Sequence, residues 1–447
     1  MRKYCVLLLL LVSTGCWAQT DSSKVNQLSV GLQFLTHGEA CGGGLPKTDD
    51  GNSSESGESY FLLGRTRVNV DYERSGLQAH AVIENKAVWG AAGSMNLRLY
   101  EGWVKMSARN GLFAQLGRIA LSYDDERIIG PNDFATMALS HDVLRVGYEG
   151  HGHKLHAILG YNQNNDHVYH DTYYKDGQQL YKSMETVWYH YDVPKFPLGV
   201  SLLFMNYGLQ AGQDDPDAFD YKSNPICTVQ QQMYGAYVNF HPKHLTLEAS
   251  YYRQTGKEVD AGMYASKIDA WMASAKATFN PTEKLGFELG YDYLSGDDYV
   301  PVTYGGQLGL PRHEVNKGFS PLFGSRVEFY GMMDYFYKNA YINQFTPGLQ
   351  NAFVGVNAKP VSGLDCSATY HYMATATSLQ DLDLTLGHSV ELEATYHFTK
   401  DIALTASYTQ MVGTETMDRL KQGSGSKHAR WGWFSLVISP SIFTTKW

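Results

Sequence analysis

Beyond Ala18 the chain has no apolar run long enough to cross a bilayer as a helix, which takes ~20 residues. It also lacks sustained helical periodicity and any Pro/Ser-rich linker, both expected of a 447-residue chain divided into soluble domains. Cysteine is scarce. Of five in the sequence, Cys41, Cys227 and Cys366 lie beyond Ala18, an odd set at no metal-like spacing, which excludes a disulfide framework. Basic charge is not in excess: 36 Lys and Arg against 45 Asp and Glu leave a net charge of -9, which argues against nucleic acid as a partner. The Gly42-Gly43-Gly44 run has no strand and helix around it to cradle phosphate and reads as part of a flexible first loop. Asn165–Asp171 and Ser295-Gly296-Asp297-Asp298 carry metal-competent side chains, yet neither has the ligand periodicity of a dedicated site. No cofactor is expected.

What the chain does have is an export-type start. Arg2 and Lys3 precede an apolar run from Val6 to Val12, and Cys16-Trp17-Ala18 offers small residues at −3 and −1 of a cleavage site. The expectation is a signal peptide over 1–18 and a mature chain from Gln19 to Trp447, with lipidation at Cys16 as the rival reading. The rest is rich in Tyr (32) and Gly (44), with 13% aromatic residues and a mean hydropathy of -0.32.

Alternation runs from one end of the mature chain to the other. In Tyr60–Glu73, Tyr60, Leu62, Gly64, Thr66, Val68, Val70 and Tyr72 share one face, and Arg65, Arg67, Asn69, Asp71 and Glu73 share the other. In lipid the first face points outward, since Arg or Lys on the outside at mid-bilayer costs ~2–4 kcal/mol. The same logic puts Ile83 outside and His80 and Glu84 inside. It puts Val390, Leu392 and Tyr396 outside opposite Glu391 and Glu393, and Phe287, Leu289 and Tyr291 outside opposite Glu288 and Asp292.

Tight turn signals such as Glu73-Arg74-Ser75-Gly76, Ala108-Arg109-Asn110-Gly111 and Asn280-Pro281-Thr282-Glu283 alternate strictly with longer polar connections near 38–58, 88–93, 120–140, 164–182, 209–227, 255–266, 295–348, 375–387 and 413–427. With both termini periplasmic, this pattern predicts about 18 strands in an all-β, transmembrane, antiparallel up-and-down barrel of the cell outer membrane. Arg326–Tyr337 could pass for a strand, but an even count assigns it to the 295–348 loop. The last segment holds Trp431, Trp433, Phe434 and Phe443 and ends in Trp447, as an aromatic girdle and a barrel-assembly signal would.

Three stretches resemble the alginate-export family of outer-membrane porins. They are Leu116–Ile119 with Tyr123–Gly130 and Asp142–Tyr148; Ser295–Asp298 with Pro321–Phe323 and Phe329–Asp334; and Gly348–Val356 with Lys359-Pro360 and Tyr370-His371-Tyr372. The resemblance implies an 18-stranded barrel with an arginine-rich constriction suited to a polyuronate. Ile119 stands where that family usually has Gln, and Asp124 where Gly is common, which bears on the solute rather than the fold.

The candidate constriction residues are Arg65, Arg67 and Arg145 from alternation and Arg118 from the motif, faced by Glu84, Glu101, Glu149, Asp292, Glu391 and Glu393. The expected function is passive diffusion of small hydrophilic solutes, anionic ones and oligosaccharides among them, with outer-membrane lipids and the barrel-assembly machinery as partners. Two alternatives remain open: a barrel hydrolase, and a structural or surface-binding barrel whose lumen is plugged by the 295–348 loop. A hydrolase needs Ser, His and acid together, and Ser140-His141-Asp142 sits on a strand whose adjacent residues point to opposite faces.

Overall fold

The computed structural model describes residues 25–43, 58–91, 93, 95–163, 181–211, 227–259, 265–297, 302–304, 307–309, 315–337, 346–379, 382–421 and 427–447. The expected signal peptide, Cys16 and the Asn165–Asp171 loop lie outside them.

The strands are β1 (Gln27–Gly43), β2 (Ser59–Arg74), β3 (Leu77–Val88), β4 (Asn96–Ser107), β5 (Leu112–Ile119), β6 (His141–Gly150), β7 (His153–Tyr161), β8 (Ser183–Asp192) and β9 (Leu198–Ala211). They continue as β10 (Cys227–Phe240), β11 (Leu245–Val259), β12 (Ala265–Thr282), β13 (Leu285–Leu294), β14 (Leu349–Ala358), β15 (Leu364–Ala374), β16 (Thr385–Thr399), β17 (Ile402–Gly413) and β18 (His428–Ile438, resumed over Ser441–Lys446). Each pairs antiparallel with the next, and β18 pairs back onto β1, so 18 strands close into a barrel without an edge. Closure satisfies the strand backbone within the wall, as a hydrocarbon surround demands.

The expected turns and loops fall where the alternation of connections places them, and Arg326–Tyr337 is loop, with one 3-10 turn at Arg326–Glu328. Several loop boundaries move by a few residues. Backbone pairing with Arg430 and Ala429 carries β1 through Gly42 and Gly43, which are strand rather than loop, and β11 and β12 extend to Val259 and from Ala265.

Burial is inverted relative to a soluble protein. Leu116 and Leu289 are each 64% exposed on the outer face, while Glu84 (0%) and Asp292 (2%) are buried inside. Only a lipid surround makes that arrangement favourable. Stacked Tyr251, Trp271 and Tyr293 form part of an outer aromatic belt, with centroids 6.0 and 4.7 Å apart. Just beyond it sits the Arg253–Asp269 pair at 2.7 Å, where the apolar band gives way to polar surface.

The seventh loop (295–348) carries a short hairpin, Val302–Tyr304 with Gln307–Gly309, and the ninth carries helix α1 (Glu415–Leu420), whose Met417 amide donates to Thr414 Oγ1 at 3.3 Å. The third loop (120–140) and the seventh turn into the lumen, and this positions the site.

Candidate functional site

The third loop enters the lumen because its side chains are apolar. Leu121, Tyr123, Ile128 and Ile129 are buried in one cluster with Phe319, Phe323, Tyr330, Phe336 and Tyr337 of the seventh loop and with wall residues of β6 to β13. The two loops also share backbone bonds: Gly130 N donates to Phe323 O at 2.8 Å, Phe323 N to Ile128 O at 3.0 Å and Ser325 N to Glu126 O at 3.0 Å. Arg127 sits in this core. Its Nη1 donates to Asp292 Oδ1 of β13 at 2.9 Å, its Nε to Asp125 Oδ2 at 3.2 Å, and its guanidinium lies 4.3 Å from the Phe329 ring. Burial pulls its pKa down, but Asp292, Tyr330 and Asp125 outweigh that, and the net shift is well above the ordinary arginine value. Asp124 is raised by burial, although it accepts hydrogen bonds from Trp188 Nε1 (3.1 Å) and Tyr252 OH (3.4 Å).

The tip of the same loop meets the β2–β4 wall through charge. Arg67 Nε donates to Glu84 Oε2 at 2.8 Å, and Arg98 Nε to Glu84 Oε1 at 2.7 Å. Arg67 donates twice to Asp133, at 2.9 and 2.8 Å, and Arg65 once at 2.6 Å. Loop carbonyls take further donors: Ala135 O from Arg65 and Ala138 O from Arg98, both at 2.8 Å, and Thr136 O from Lys86. Arg67 also lies 4.0 Å from the Tyr100 ring centroid. The cations Arg65, Arg67, Lys86 and Arg98 thus surround two carboxylates, Glu84 and Asp133.

The other expected residues spread along the wall. Arg145 donates to Gln115 Oε1 (3.0 Å) and Tyr123 OH (3.3 Å), so neutral oxygens satisfy it. Glu149 pairs with His156 at 3.0 Å. Glu101 turns inward because the β3–β4 register shifts between Val82 and Ile83; Tyr100 is the extra residue, and both it and Glu101 face the lumen. Trp103 Nε1 and Ala120 N donate to Glu101 at 3.2 and 3.1 Å. Asp292 additionally accepts from Ser274 (2.7 Å) and Asn351 (2.9 Å), and Glu391 accepts from Met332 N of the seventh loop at 2.8 Å. Glu393 lines a separate cleft with Asn357, Ser367 and Thr395.

Arg118 is a correction. It keeps the parity of Leu112 and Leu116, which face outward, and binds Asp142 on the outer face at 2.8 and 2.7 Å. Asp142 is flanked by His141 (0% exposed) and Val143 (4%), which face inward, so the Ser140-His141-Asp142 trio does not converge. Ser295 and Asp297 tie the ends of the seventh loop, through Ser295 Oγ to Lys317 O (2.7 Å) and Asp297 N to Thr346 O (2.7 Å); Asp298 lies outside the described residues.

Lys86 was not singled out from the sequence, although it shares the parity of Glu84 and alternation could have found it. Arg98 was obscured by the β4 bulge. Asp133 and Arg127 lie on a loop, where no periodicity marks the inward direction.

No family model matches the chain, and no curated protein matches it in sequence. Solved structures do resemble it. OccK2 (OpdF) of Pseudomonas aeruginosa is 11% identical, with a TM-score of 0.60 over 93% of this chain and 98% of that one. OccAB1 of Acinetobacter baumannii is 14% identical, with a TM-score of 0.58 over 93% and 97%. A BenF-like porin from Pseudomonas fluorescens Pf-5 is 12% identical, with a TM-score of 0.58 over 93% and 99%. At these identities the likeness is one of fold, and the chain has the fold of outer-membrane porin barrels.

Proposed function

We propose that the chain is an outer-membrane porin through which small hydrophilic solutes diffuse, with a preference for those carrying a carboxylate. The observation that carries this reading is the cation excess where the third loop narrows the lumen. Four cations there meet two carboxylates although the chain as a whole carries -9. Local charge, not total charge, sets the field inside a narrow pore. Arg145 adds a further cation held by neutral groups. OccK2 has been crystallised in complex with glucuronate, and a hexuronate has the matching chemistry. The motif resemblance to the alginate-export family points to uronates as well, but the barrel shared with the solved porins does not choose that family over others.

A plugged barrel is the second reading, favoured by the apolar core that the third and seventh loops build across the lumen. Planar-bilayer recording separates the two. A porin conducts, with anion preference in a salt gradient that is strongest at low ionic strength. Changing Arg65 and Arg67 together to Gln lowers the preference while heat-resistant mobility on gels persists. Cation preference in the unmodified protein overturns the carboxylate reading, and absence of conductance overturns the porin.

A further inference from the structure

Asp133 occupies a place shaped for a ligand. Its one carboxylate receives three N–H donors from two guanidinium groups, end-on from Nη1 and Nη2 of Arg67 at 2.9 and 2.8 Å and through a single bond from Nη1 of Arg65 at 2.6 Å. Planar forks converging in this way recognise free carboxylates. We propose that the Arg65–Arg67 fork is the binding site for a solute carboxylate and that Asp133 is its internal competitor, exchanging with the solute as it passes.

This rests on the porin reading above and goes further by naming the residues that bind and the residue that yields.

Three features favour exchange over a fixed structural bridge. First, the cations belong to the wall and the acid does not. The Arg65 and Arg67 side chains are 2% and 6% exposed, and the Asp133 side chain is 39% exposed. Second, the fork keeps its shape without Asp133. Arg67 is held by Glu84 and the Tyr100 ring, and Arg65 by Gln33 Oε1 of β1 at 3.0 Å, none of which belongs to the third loop. Third, Asp133 is presented by a strained stretch. Asn132 and Ala135 on either side have φ of 45° and 46°, a left-handed conformation that disfavours a side-chain-bearing residue and persists only while its surroundings hold it. In addition, Arg65 Nε is buried and has no hydrogen-bond partner among the described residues. A uronate carries a ring oxygen and hydroxyls next to its carboxylate, and these can accept from that donor.

The exchange has a stated cost. A site occupied by an internal competitor binds an external ligand more weakly by the fraction of time it is free. Removing the Asp133 charge therefore strengthens solute binding rather than weakening it.

The experiment is single-channel recording with glucuronate, and with uncharged glucose as the matched control. Asp133→Asn is expected to lower the half-blocking glucuronate concentration about tenfold, with no change for glucose. A half-blocking concentration that is unchanged or higher in Asp133→Asn overturns the competitor. If the Arg65→Gln, Arg67→Gln double variant then abolishes block, the carboxylate-porin reading stands without the competitor. If it leaves block unaltered, that reading falls too. A second measurement uses the unmodified protein, in case Asp133→Asn does not fold. Hydrogen exchange of the 132–138 amides should quicken with glucuronate and not with glucose, and an equal response to both sugars overturns the proposal.

Discussion

The third loop is fastened on two sides by different physics. Toward β6–β13 it is buried among aromatic and branched side chains, with Arg127 locked to Asp292. Toward β2–β4 it touches the wall through charged groups and backbone carbonyls, and Asp133 remains partly in water. Apolar burial is indifferent to salt and has no exchangeable partner. A half-exposed ion pair is screened and can trade one carboxylate for another. The molecule therefore has a static anchor and an exchangeable contact on one loop.

The largest expected effect comes from breaking the anchor. Arg127→Met leaves Asp292 and Asp125 without their cation in a dry core, and removing one partner of a buried pair costs about 3–5 kcal/mol. Faster hydrogen exchange of the 121–130 amides should report it, with the strands unaffected. If those amides stay protected, the anchor is not where the buried contacts place it.

Next in size is a test of the frame that holds both contacts. Leu392 faces lipid between the inward Glu391 and Glu393. Leu392→Arg should destabilise the barrel by ~2–4 kcal/mol near mid-bilayer, measured by urea unfolding in liposomes. Asn69→Arg, on the lumen face of β2, should be tolerated. Equal damage at the two positions would dismantle the inside–outside assignment.

A smaller effect is expected on the exchangeable side. Arg98→Gln should weaken the 133–138 contact by about 1.5–3 kcal/mol at most, the range for a hydrogen bond to a charged group. High salt should mimic part of it, since the screening length falls from about 10 Å at 0.1 M to about 3 Å at 1 M. Protection of the 133–138 amides should drop with salt while that of 127–130 holds. A uniform response along the loop would erase the distinction.

Last is a pH trend at the seventh loop. Lys421, just after α1, donates to Tyr335 O and lies 5.1 Å from the Phe336 ring centroid. Burial pushes its ammonium pKa down to about 7, against the pull of Asp334. Between pH 7 and 10 the lysine keeps its proton when unpacked and loses it when packed. Attachment therefore strengthens as pH rises through that window and levels off below it. Protease protection of 326–337 should follow this slope, and Lys421→Met should flatten it. The same slope in the variant would assign the titration elsewhere.

Much of this was legible in the chain. Val68 outside and Arg67 inside, Leu392 outside and Glu391 inside, follow from a period of two and the cost of charge in lipid. The turn signals counted the strands. Legibility fails where the period breaks. The bulge at Tyr100 turns two consecutive residues inward, and Arg118, assigned to the lumen from a motif, lies on the outer face by the parity of Leu116.

Sequence alone thus determined the barrel, its strand count and the inward set Arg65, Arg67, Glu84, Arg145, Asp292 and Glu391, because each is a local property of one strand and its surround. Only the tertiary structure decided which charges meet. Asp133 lies 66 residues from Arg67 along the chain, and Arg127 165 from Asp292. Those pairs depend on the path of a loop through the lumen, which is set by where Ile129 and Phe323 find apolar cover, and no local pattern records that path.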